Sequence, residues 1–215
     1  MKNGLQLFIC LAILLSMVEA DPEPLQDYCV ADAKSPFFIN GVPCIDPKLV
    51  VSSHFATSAL AVRGKTSNLF GSNVTLTNTA NLPGLNTMGL TLARIDLSGN
   101  GIVPPHSHPR ASEVTICLDG TLLVGFVDTS GRLFTQQLRP GESFVFPKGL
   151  IHFLSNVDSM KPALAVSGLS SQNPGAQISS LAEFTSKPSI PDEILKKAFQ
   201  VNGQDVSRIR KNLGG

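Results

Sequence analysis

Residues 48–185 form a series of short apolar runs, each broken after a few residues by Gly, Asn or Pro. Examples are "MGLTLARIDL", "EVTICLDGTLLVGFVDT" and "RLFTQQLRPGESFVFPKG". Many short strands with closely spaced turn signals are typical of an all-β sandwich or barrel. The pairs Asp119-Gly120 and Ser130-Gly131 predict hairpin-type turns. This part of the chain is therefore expected to be one β-barrel domain.

The last segment, 186–215, has a different pattern. Its apolar residues recur at helical spacing, with Pro191 and Asp192 at the start of the series. The members of this stripe are Ile194, Leu195, Ala198 and Phe199. Asn202-Gly203 should end the helix, and "DVSRIRKNLGG" predicts a second short helix with Asp205 as its cap. The stripe lies on a chain end with little core of its own, so we expect these helices to mediate oligomerisation.

The first twenty residues have the order of a secretory signal peptide: one Lys, an apolar run, and a small residue at the end. We expect cleavage after Ala20, although an N-terminal anchor is the alternative reading. The apolar run is shorter than the ~20 residues that a membrane span needs, and no other stretch of the sequence is long enough. Residues 21–47 are Pro-rich and irregular, which predicts an N-terminal arm.

Composition excludes some classes of function. The chain has 215 residues, 42% of them hydrophobic and 15% charged, which is ordinary for a packed globular protein. Its formal net charge is +1, without a long run of one sign. A nucleic-acid partner is therefore not expected.

Export changes the interpretation of the cysteines. Cys29 and Cys44 are close in sequence and flank a Pro- and Gly-containing segment, so they are expected to pair in an oxidising compartment. Cys117 lies in an apolar, strand-like run and is expected to be a free, buried thiol. Asn73-Val74-Thr75 is an acceptor sequence for N-glycosylation, which export would make usable.

Three of the four histidines lie in two short blocks, "PPHSHPRASE" and "FPKGLIHF". On a strand, His106 and His108 point to one face. Pro109 introduces a turn that can return Glu113 to the same interior, and His152 follows on a later strand. Taken alone, each of these residues has a simpler explanation. An H-x-H pair can lie on a surface strand, Glu113 can be a solvated charge, and His152 can be a core histidine whose hydrogen bonds are satisfied. The fourth histidine, His54, has no assigned role.

Three imidazoles and a carboxylate form a credible set of ligands for a divalent transition metal. If the ion is octahedral, the four residues His106, His108, Glu113 and His152 leave two positions for water or substrate. The mixed N/O set suits Mn or Fe, whereas Zn and Cu stay open, and the affinity order alone favours Cu over Mn.

The two blocks resemble the motifs of the cupin superfamily. In the first motif, G-x5-H-x-H-x(3,4)-E-x6-G, the histidines, Glu113 and Gly120 match, but Asn100 occupies the place of the opening Gly. Because Gly99 and Gly101 flank it, a shifted turn is expected rather than a lost site. The second motif, G-x5-P-x-G-x2-H-x3-N, matches completely, at Gly141, Pro147, Gly149, His152 and Asn156.

Beyond the superfamily, the chain resembles the germin-like proteins of plants over nearly its whole mature length. The resemblance lies in "DPEPLQDYCVAD", the spacing of Cys29 and Cys44, "PPHSHPRASE", "GTLLVGF", "FPKGLIHF" and "SSQNPG". It implies a β-jelly-roll barrel with short C-terminal helices, and manganese held by His106, His108, Glu113 and His152. It also implies secretion to the apoplast and a hexamer built as a trimer of dimers. A monomer whose helices merely cover its own barrel is the alternative.

Two functions follow from this resemblance. The first is a metal-dependent oxidoreductase acting on a small anion, because the family includes superoxide dismutases and oxalate oxidases associated with defence and wall chemistry. The second is a non-catalytic wall or receptor protein that holds a small-molecule ligand or a structural metal. The resemblance also implies that oxalate-oxidising germins place two asparagines beside the metal. Here Ala93 and Val103 occupy those positions, so oxalate oxidase activity is not expected.

Overall fold

A computed structural model describes residues 26–37 and 41–214 of the chain. Within these residues, ten strands form two five-stranded antiparallel sheets, which confirms the predicted all-β jelly-roll fold. The strands are β1 Ser72–Leu76, β2 Thr91–Leu97, β3 Ile102–Ser107, β4 Glu113–Asp119, β5 Leu122–Val127, β6 Leu133–Leu138, β7 Ser143–Phe146, β8 Ile151–Asn156, β9 Ala163–Leu169 and β10 Gln177–Ile178. Sheet 1 has the order β1-β2-β9-β4-β7, and sheet 2 has the order β10-β3-β8-β5-β6.

Short helices accompany the sheets. Three single 3-10 turns span Pro47–Leu49, Ser52–Phe55 and Pro83–Leu85, and three α-helices follow the last strand: α1 Ser179–Phe184, α2 Asp192–Phe199 and α3 Gly203–Asn212. Among the described residues, none of these helices has the length and apolar character that a bilayer crossing requires. The predicted signal peptide, residues 1–20, lies outside the described residues.

The inward-facing side chains of both sheets form one hydrophobic core. Leu97 and Cys117 of sheet 1 meet Leu122 and Leu154 of sheet 2 there, and all four are fully buried or nearly so. Alternate residues of a strand point to opposite faces, so each short apolar run supplies two or three side chains to this interior. The polar cluster described below lies against this core, because Phe146 of the core stacks on His152 with ring centroids 4.4 Å apart.

The two predicted hairpin turns have different outcomes. Ser130-Gly131 joins β5 to β6, which pair antiparallel, so this hairpin is confirmed. The prediction for Asp119-Gly120 is wrong, because β4 and β5 belong to different sheets. Gly120 has a φ of 81°, and a Cβ there would lie 2.7 Å from that of Ala163. The glycine therefore allows a tight crossing from one sheet to the other.

Strand β3 contains a bulge at its two prolines. Val103 pairs with Leu154, but His106 pairs with His152, so β3 has one residue more than β8 between these pairs. Pro104 and Pro105 lie at this irregularity, where the loss of ladder hydrogen bonds is tolerated. As a result Val103 and His106 are both buried on the interior side, although two residues lie between them.

The disulfide closes a loop within the N-terminal arm, and a hydrogen bond ties the arm to the barrel domain. Cys29 and Cys44 are bonded as predicted, and Ala31 forms a bridge with Cys44. The amide of Asn86 donates to Val42 O at 2.7 Å, which ties the arm to the loop before β2. Just after the arm, His54 accepts a hydrogen bond from the Val51 amide, so it closes a 3-10 turn.

The C-terminal helices pack around a small core of their own, contrary to the expectation from sequence. Phe184, Leu195 and Val206 are its buried members. Helix α2 confirms the predicted stripe only in part, because Ile194 and Phe199 are exposed while Leu195 is buried. The second helix starts earlier than predicted: Asn202, not Asp205, is its N-cap, and Asp205 completes the capping box from the third helical position.

Candidate metal centre

The four predicted ligands come together inside the barrel from both sheets. His106 on β3 and His152 on β8 are cross-strand partners in sheet 2, and His108 lies one residue beyond β3. Glu113 is the first residue of β4, in sheet 1. All four side chains are buried, and their donor atoms lie within 4.8 Å of one another. The turn after Pro109 therefore returns Glu113 to the interior, as the sequence predicted.

Backbone carbonyls orient the three imidazoles. Nδ1 of His106 lies 2.9 Å from Pro104 O, and Nδ1 of His152 lies 2.9 Å from Leu150 O. Nδ1 of His108 contacts Gly175 O. Because a carbonyl only accepts, each Nδ1 must carry the proton, and each Nε2 keeps a free lone pair. This is the tautomer that a metal-binding histidine needs.

The carbonyl that orients His108 belongs to a distant loop held by Arg110. The Arg110 side chain donates to Asn173 O at 2.6 Å and to Asn173 Oδ1 at 3.0 Å, and its backbone amide donates to Pro174 O. The "SSQNPG" block therefore contributes to the site through Gly175, although it supplies no ligand.

Hydroxyl groups orient the carboxylate. Thr115 donates to Oε1 of Glu113 at 2.9 Å, and the Thr115 and Ser167 hydroxyls lie 2.6 Å apart. Oε2 is thereby left facing the histidines, 3.0 Å from His108 Nε2 and 3.3 Å from His152 Nε2. Sequence reasoning missed both hydroxyl residues. Thr115 could have been found, because it is two residues from Glu113 and shares its strand face.

Burial and mutual contact shift the acid–base behaviour of the cluster. Burial, followed by repulsion from His152, lowers the pKa of His106 to about 4. Burial also acts to lower the pKa of His108, but its contacts with Glu113 and Gly175 outweigh this and raise it. Burial would raise the pKa of Glu113, yet its contacts with His108 and His152 lower it far below its usual range. Glu113 is therefore ionised at neutral pH, beside a neutral His106.

The donor geometry fits a bound cation. Glu113 Oε2 and His152 Nε2 are buried and have no hydrogen-bond partner. Buried polar atoms are rarely left unpaired, and these two face each other at 3.3 Å. A divalent ion among the four donors would satisfy all of them at once. His106, His108, Glu113 and His152 are thus the residues that would hold it.

A cavity of about 230 Å³ adjoins the cluster. His106, His108 and Glu113 line one part of it, and every other lining residue is aliphatic. These include Leu76, Ala93, Ile95, Val103, Leu154 and Leu169. Val74, on the edge strand β1, also lines the cavity and is 44% exposed, so the cavity reaches the surface there.

Two asparagines of the motif blocks shape the loops around β3 and β8. Asn100, in the place of the opening Gly, has a φ of 57°, whereas Gly99 and Gly101 are not left-handed. The expected shift of the turn is therefore wrong: Asn itself adopts the conformation, as this residue type tolerates. The buried amide of Asn156 donates to Ser98 O and Lys161 O, both at 2.8 Å, and so joins two loops.

Two further predicted residues lie away from the cluster. Cys117 is free and fully buried in the core, as predicted, and burial raises the pKa of its thiol. Asn73 lies on β1, half-buried, and its Oδ1 accepts a hydrogen bond from the Thr75 hydroxyl. Its glycosylation stays a prediction.

Comparison with known proteins agrees with this geometry. The model of the cupin family matches residues 58–207. Germin-like protein subfamily 1 member 1 of Arabidopsis thaliana is 62% identical over an alignment of 215 positions, which covers 98% of this chain and 99% of that protein. A solved oxalate oxidase is 40% identical with a TM-score of 0.87, over 91% of this chain and 99% of its own. Peruvianin-I, a cysteine peptidase from Thevetia peruviana latex, is 42% identical with a TM-score of 0.71, over 74% of this chain and 97% of its own. The chain belongs to the germin-like branch of the cupin family.

Proposed function

We propose that this protein is a secreted, manganese-binding germin-like protein of the plant apoplast that acts as a superoxide dismutase in defence or wall chemistry. The observation that carries the proposal is the buried cluster of three imidazole lone pairs and one carboxylate, open on one side to a cavity. Such a cluster can hold a redox-active ion and still leave a position for a small anion.

Manganese fits the donor set, which mixes one hard carboxylate oxygen with three imidazoles. Bound manganese would supply one-electron redox chemistry. The chain's own residues would hold the ion, keep each Nδ1 protonated against a backbone carbonyl, and exclude bulk water with an aliphatic wall. Elemental analysis of the secreted protein, with a paramagnetic resonance spectrum, tests the choice of manganese over iron, zinc or copper.

The charge of the site suits a small monoanion. Three neutral imidazoles and one carboxylate around a divalent ion leave one net positive charge in a buried setting. Superoxide is a diatomic monoanion, and it needs access to the ion more than a set of hydrogen-bond donors. Oxalate carries two negative charges, and the wall offers it Ala93 and Val103, which cannot donate. Each missing partner costs a buried carboxylate oxygen about 1–3 kcal/mol, or up to about a hundredfold in rate or binding.

The test measures both activities on one manganese-loaded sample, with and without a chelator. We expect superoxide dismutation that the chelator abolishes, and no effective release of peroxide from oxalate. Oxalate turnover at the level of a true oxalate oxidase would overturn the argument from Ala93 and Val103. Full metal occupancy without superoxide turnover would favour a non-catalytic binding protein with a structural metal, the second candidate, which the aliphatic cavity wall supports.

One structural relative is named as a cysteine peptidase. We do not propose this activity for the present chain. Within the described residues, the free thiol belongs to Cys117, which is fully buried and has a raised pKa. A cysteine nucleophile needs an accessible, easily ionised thiol.

The proposed location rests on the disulfide and the sequence signals. A Cys29–Cys44 bond persists in oxidising compartments, which agrees with the predicted signal peptide and with glycosylation at Asn73. Secretion of the full chain from plant cells, with a mature N-terminus at Asp21 and a mass decrease on enzymatic deglycosylation, tests these points. An Asn73→Gln variant is the control for the glycan.

We further propose that the protein assembles into a hexamer, as a trimer of dimers. On the outer face of sheet 1, Leu92, Val114 and Val145 are each about half exposed and lie in one row of paired strands. Ile194 and Phe199 of α2 are also exposed, and apolar patches of this kind mark protein interfaces. Light scattering should give a hexamer mass, and either Val114→Lys or Ile194→Asp should reduce it. An unchanged mass for both variants would show that the contacts lie elsewhere.

A further inference from the structure

We propose that Gln172 is a positioning residue of the metal centre and that it makes metal affinity depend on the disulfide of the N-terminal arm. The inference rests on the proposed function in one respect, because it concerns a site that binds manganese. It goes beyond that function by giving a pair of side-chain amides, Gln172 and Asn86, and the disulfide beside them a role at the site.

The segment 171–175 meets the metal donors at its C-terminal end. The Gly175 carbonyl contacts Nδ1 of His108 and so leaves Nε2 with a lone pair for a metal. In the metal-free protein this arrangement has a competitor, because His108 Nε2 lies 3.0 Å from Glu113 Oε2. A proton on Nε2 would form a hydrogen bond with the carboxylate and occupy two ligand atoms at once. The position of the Gly175 carbonyl therefore selects the tautomer that binds metal.

Gly175 packs closely against the first motif block. Its φ is 68°, and a Cβ there would lie 2.9 Å from Arg110 Nη2 and 3.2 Å from Pro109 Cγ. The Arg110 side chain in turn donates to Asn173 O at 2.6 Å. Close packing transmits a displacement rather than absorbing it. A shift at the N-terminal end of the segment is therefore expected to move the carbonyl at its C-terminal end.

Gln172 fixes the N-terminal end of this segment. Its Nε2 donates to Asn86 Oδ1 at 3.2 Å, and its Oε1 accepts a hydrogen bond from the backbone amide of Thr87. Thr87 has a φ of 64°, which is uncommon for a β-branched residue. Such a backbone persists only where the surrounding contacts enforce it. Gln172 therefore holds its own segment and the 86–87 backbone in one fixed arrangement.

Asn86 connects this arrangement to the disulfide. Its Nδ2 donates to Val42 O at 2.7 Å and lies 3.2 Å from Cys29 Sγ. Asn86 is fully buried and Cys29 is 5% exposed, so water cannot easily replace these partners. The bond to Cys44 restricts the loop that carries Val42, and without the bond this loop would gain conformational freedom. We expect the loss of order to pass from Asn86 to Gln172.

The experiment compares Gln172→Leu with a matched control, Asn81→Leu, in the secreted protein loaded with manganese. Leucine has a similar size but no hydrogen-bonding group. Asn81 is also half-buried, and its amide also donates one hydrogen bond and accepts another, but its partners are Leu76 and Asn78. Gln172→Leu should weaken manganese binding about fivefold in competition with a chelator, because Gln172 supports a ligand only indirectly. It should also change the zero-field splitting in the paramagnetic resonance spectrum, and Asn81→Leu should change neither quantity.

The outcomes separate this inference from the proposed function. Wild-type affinity and an unchanged spectrum in Gln172→Leu would overturn the inference and leave the metal proposal intact. Equal changes in Asn81→Leu would overturn it as well, because they would show a general effect of a lost amide. Absence of metal from the wild-type protein would overturn the proposed function, and this inference with it.

A double-mutant cycle tests the role of the disulfide. Cys29→Ala combined with Cys44→Ala should weaken manganese binding, and the same change in the Gln172→Leu background should add no further loss, because both act on one segment. Fully additive losses, or an unchanged affinity in the cysteine variant, would overturn the connection between the disulfide and the site. If Gln172→Leu fails to fold, the cysteine variant measured against the wild type still tests that connection.

Discussion

The two sheets of the barrel orient their metal donors by different means. In sheet 2, Nδ1 of His106 and of His152 each contacts the carbonyl two residues earlier on the same strand or turn, at Pro104 and Leu150. In sheet 1, Glu113 depends on the hydroxyl of Thr115, which in turn contacts Ser167 on the neighbouring strand β9. The orientation of His106 and His152 is therefore local in sequence, whereas the orientation of the carboxylate, like that of His108, is tertiary.

This difference indicates which part of the site tolerates substitution of the residues around the ligands. A backbone carbonyl is present whatever the side chain, so substitutions at Pro104 or Leu150 need not remove the partner of a histidine. The hydroxyl pair beside Glu113 exists only with particular side chains on two strands. We therefore expect the carboxylate side of the site to be the more sensitive to substitutions of residues that are not ligands.

The largest expected effect tests whether both sheets are needed. His152→Ala and Glu113→Ala should each lower metal affinity by more than about a hundredfold, since removal of a ligand costs more than loss of its supporting contact. Competition with a chelator and elemental analysis measure the effect, and circular dichroism checks that the fold is kept. Full metal content in either variant would refute the four-residue site.

A smaller effect is expected on the stability of the metal-free protein at acidic pH, through His106. The pKa of His106 is about 4, below its ordinary value of 6.5, because burial disfavours the charged ring and His152 adds repulsion. The stability that this group contributes is complete above pH 6.5 and is lost as the pH falls towards 4. Urea unfolding should therefore show about 2 kcal/mol less stability at pH 4.5 than at pH 7 from this group.

His106→Asn isolates this contribution from its neighbours. The raised pKa of His108 acts in the opposite sense, and the lowered pKa of Glu113 acts mainly at more acidic pH. The metal-free variant should lose less stability than the metal-free wild type over the same pH interval. Equal losses would show that His106 is not the group responsible.

The smallest expected effect compares two buried threonines of sheet 1. Thr115→Val removes the hydrogen bond to Glu113 and should weaken metal binding about tenfold. Thr91→Val is the matched control, because Thr91 is also buried in this sheet and its hydroxyl has no hydrogen-bond partner. Equal metal affinities for the two variants would mean that the carboxylate needs no tertiary support, and the contrast between the sheets would fail.

The same contrast explains what could be predicted from sequence. The all-β fold, the disulfide and the burial of Cys117 followed from run lengths, turn residues and cysteine spacing. The four candidate ligands followed from two motif blocks. The carbonyl contacts of His106 and His152 are also predictable from local geometry, because they span only two residues.

The remaining features depend on contacts that no local pattern records. Ser167 and Gly175 lie more than fifty residues from the ligands that they support, directly or through Thr115. Asp119-Gly120 has the composition of a hairpin turn, but the chain crosses between sheets there, because the pairing partners of β4 are β7 and β9. The small core of the C-terminal helices was missed because Phe184 lies before the segment in which the helical stripe was sought.

The bulge in β3 lies between a residue of the cavity wall and a metal ligand on the same strand. Because Pro104 and Pro105 add a residue between Val103 and His106, the wall position and the ligand both face inward while their backbones pair with different partners on β8. A change of side chain at 103 can thus alter the shape and polarity of the cavity without moving the imidazole at 106. For protein engineering, position 103 is a handle on ligand preference, and deletion of one proline would remove the bulge while leaving the wall residue and the ligand two positions apart, on the same strand face.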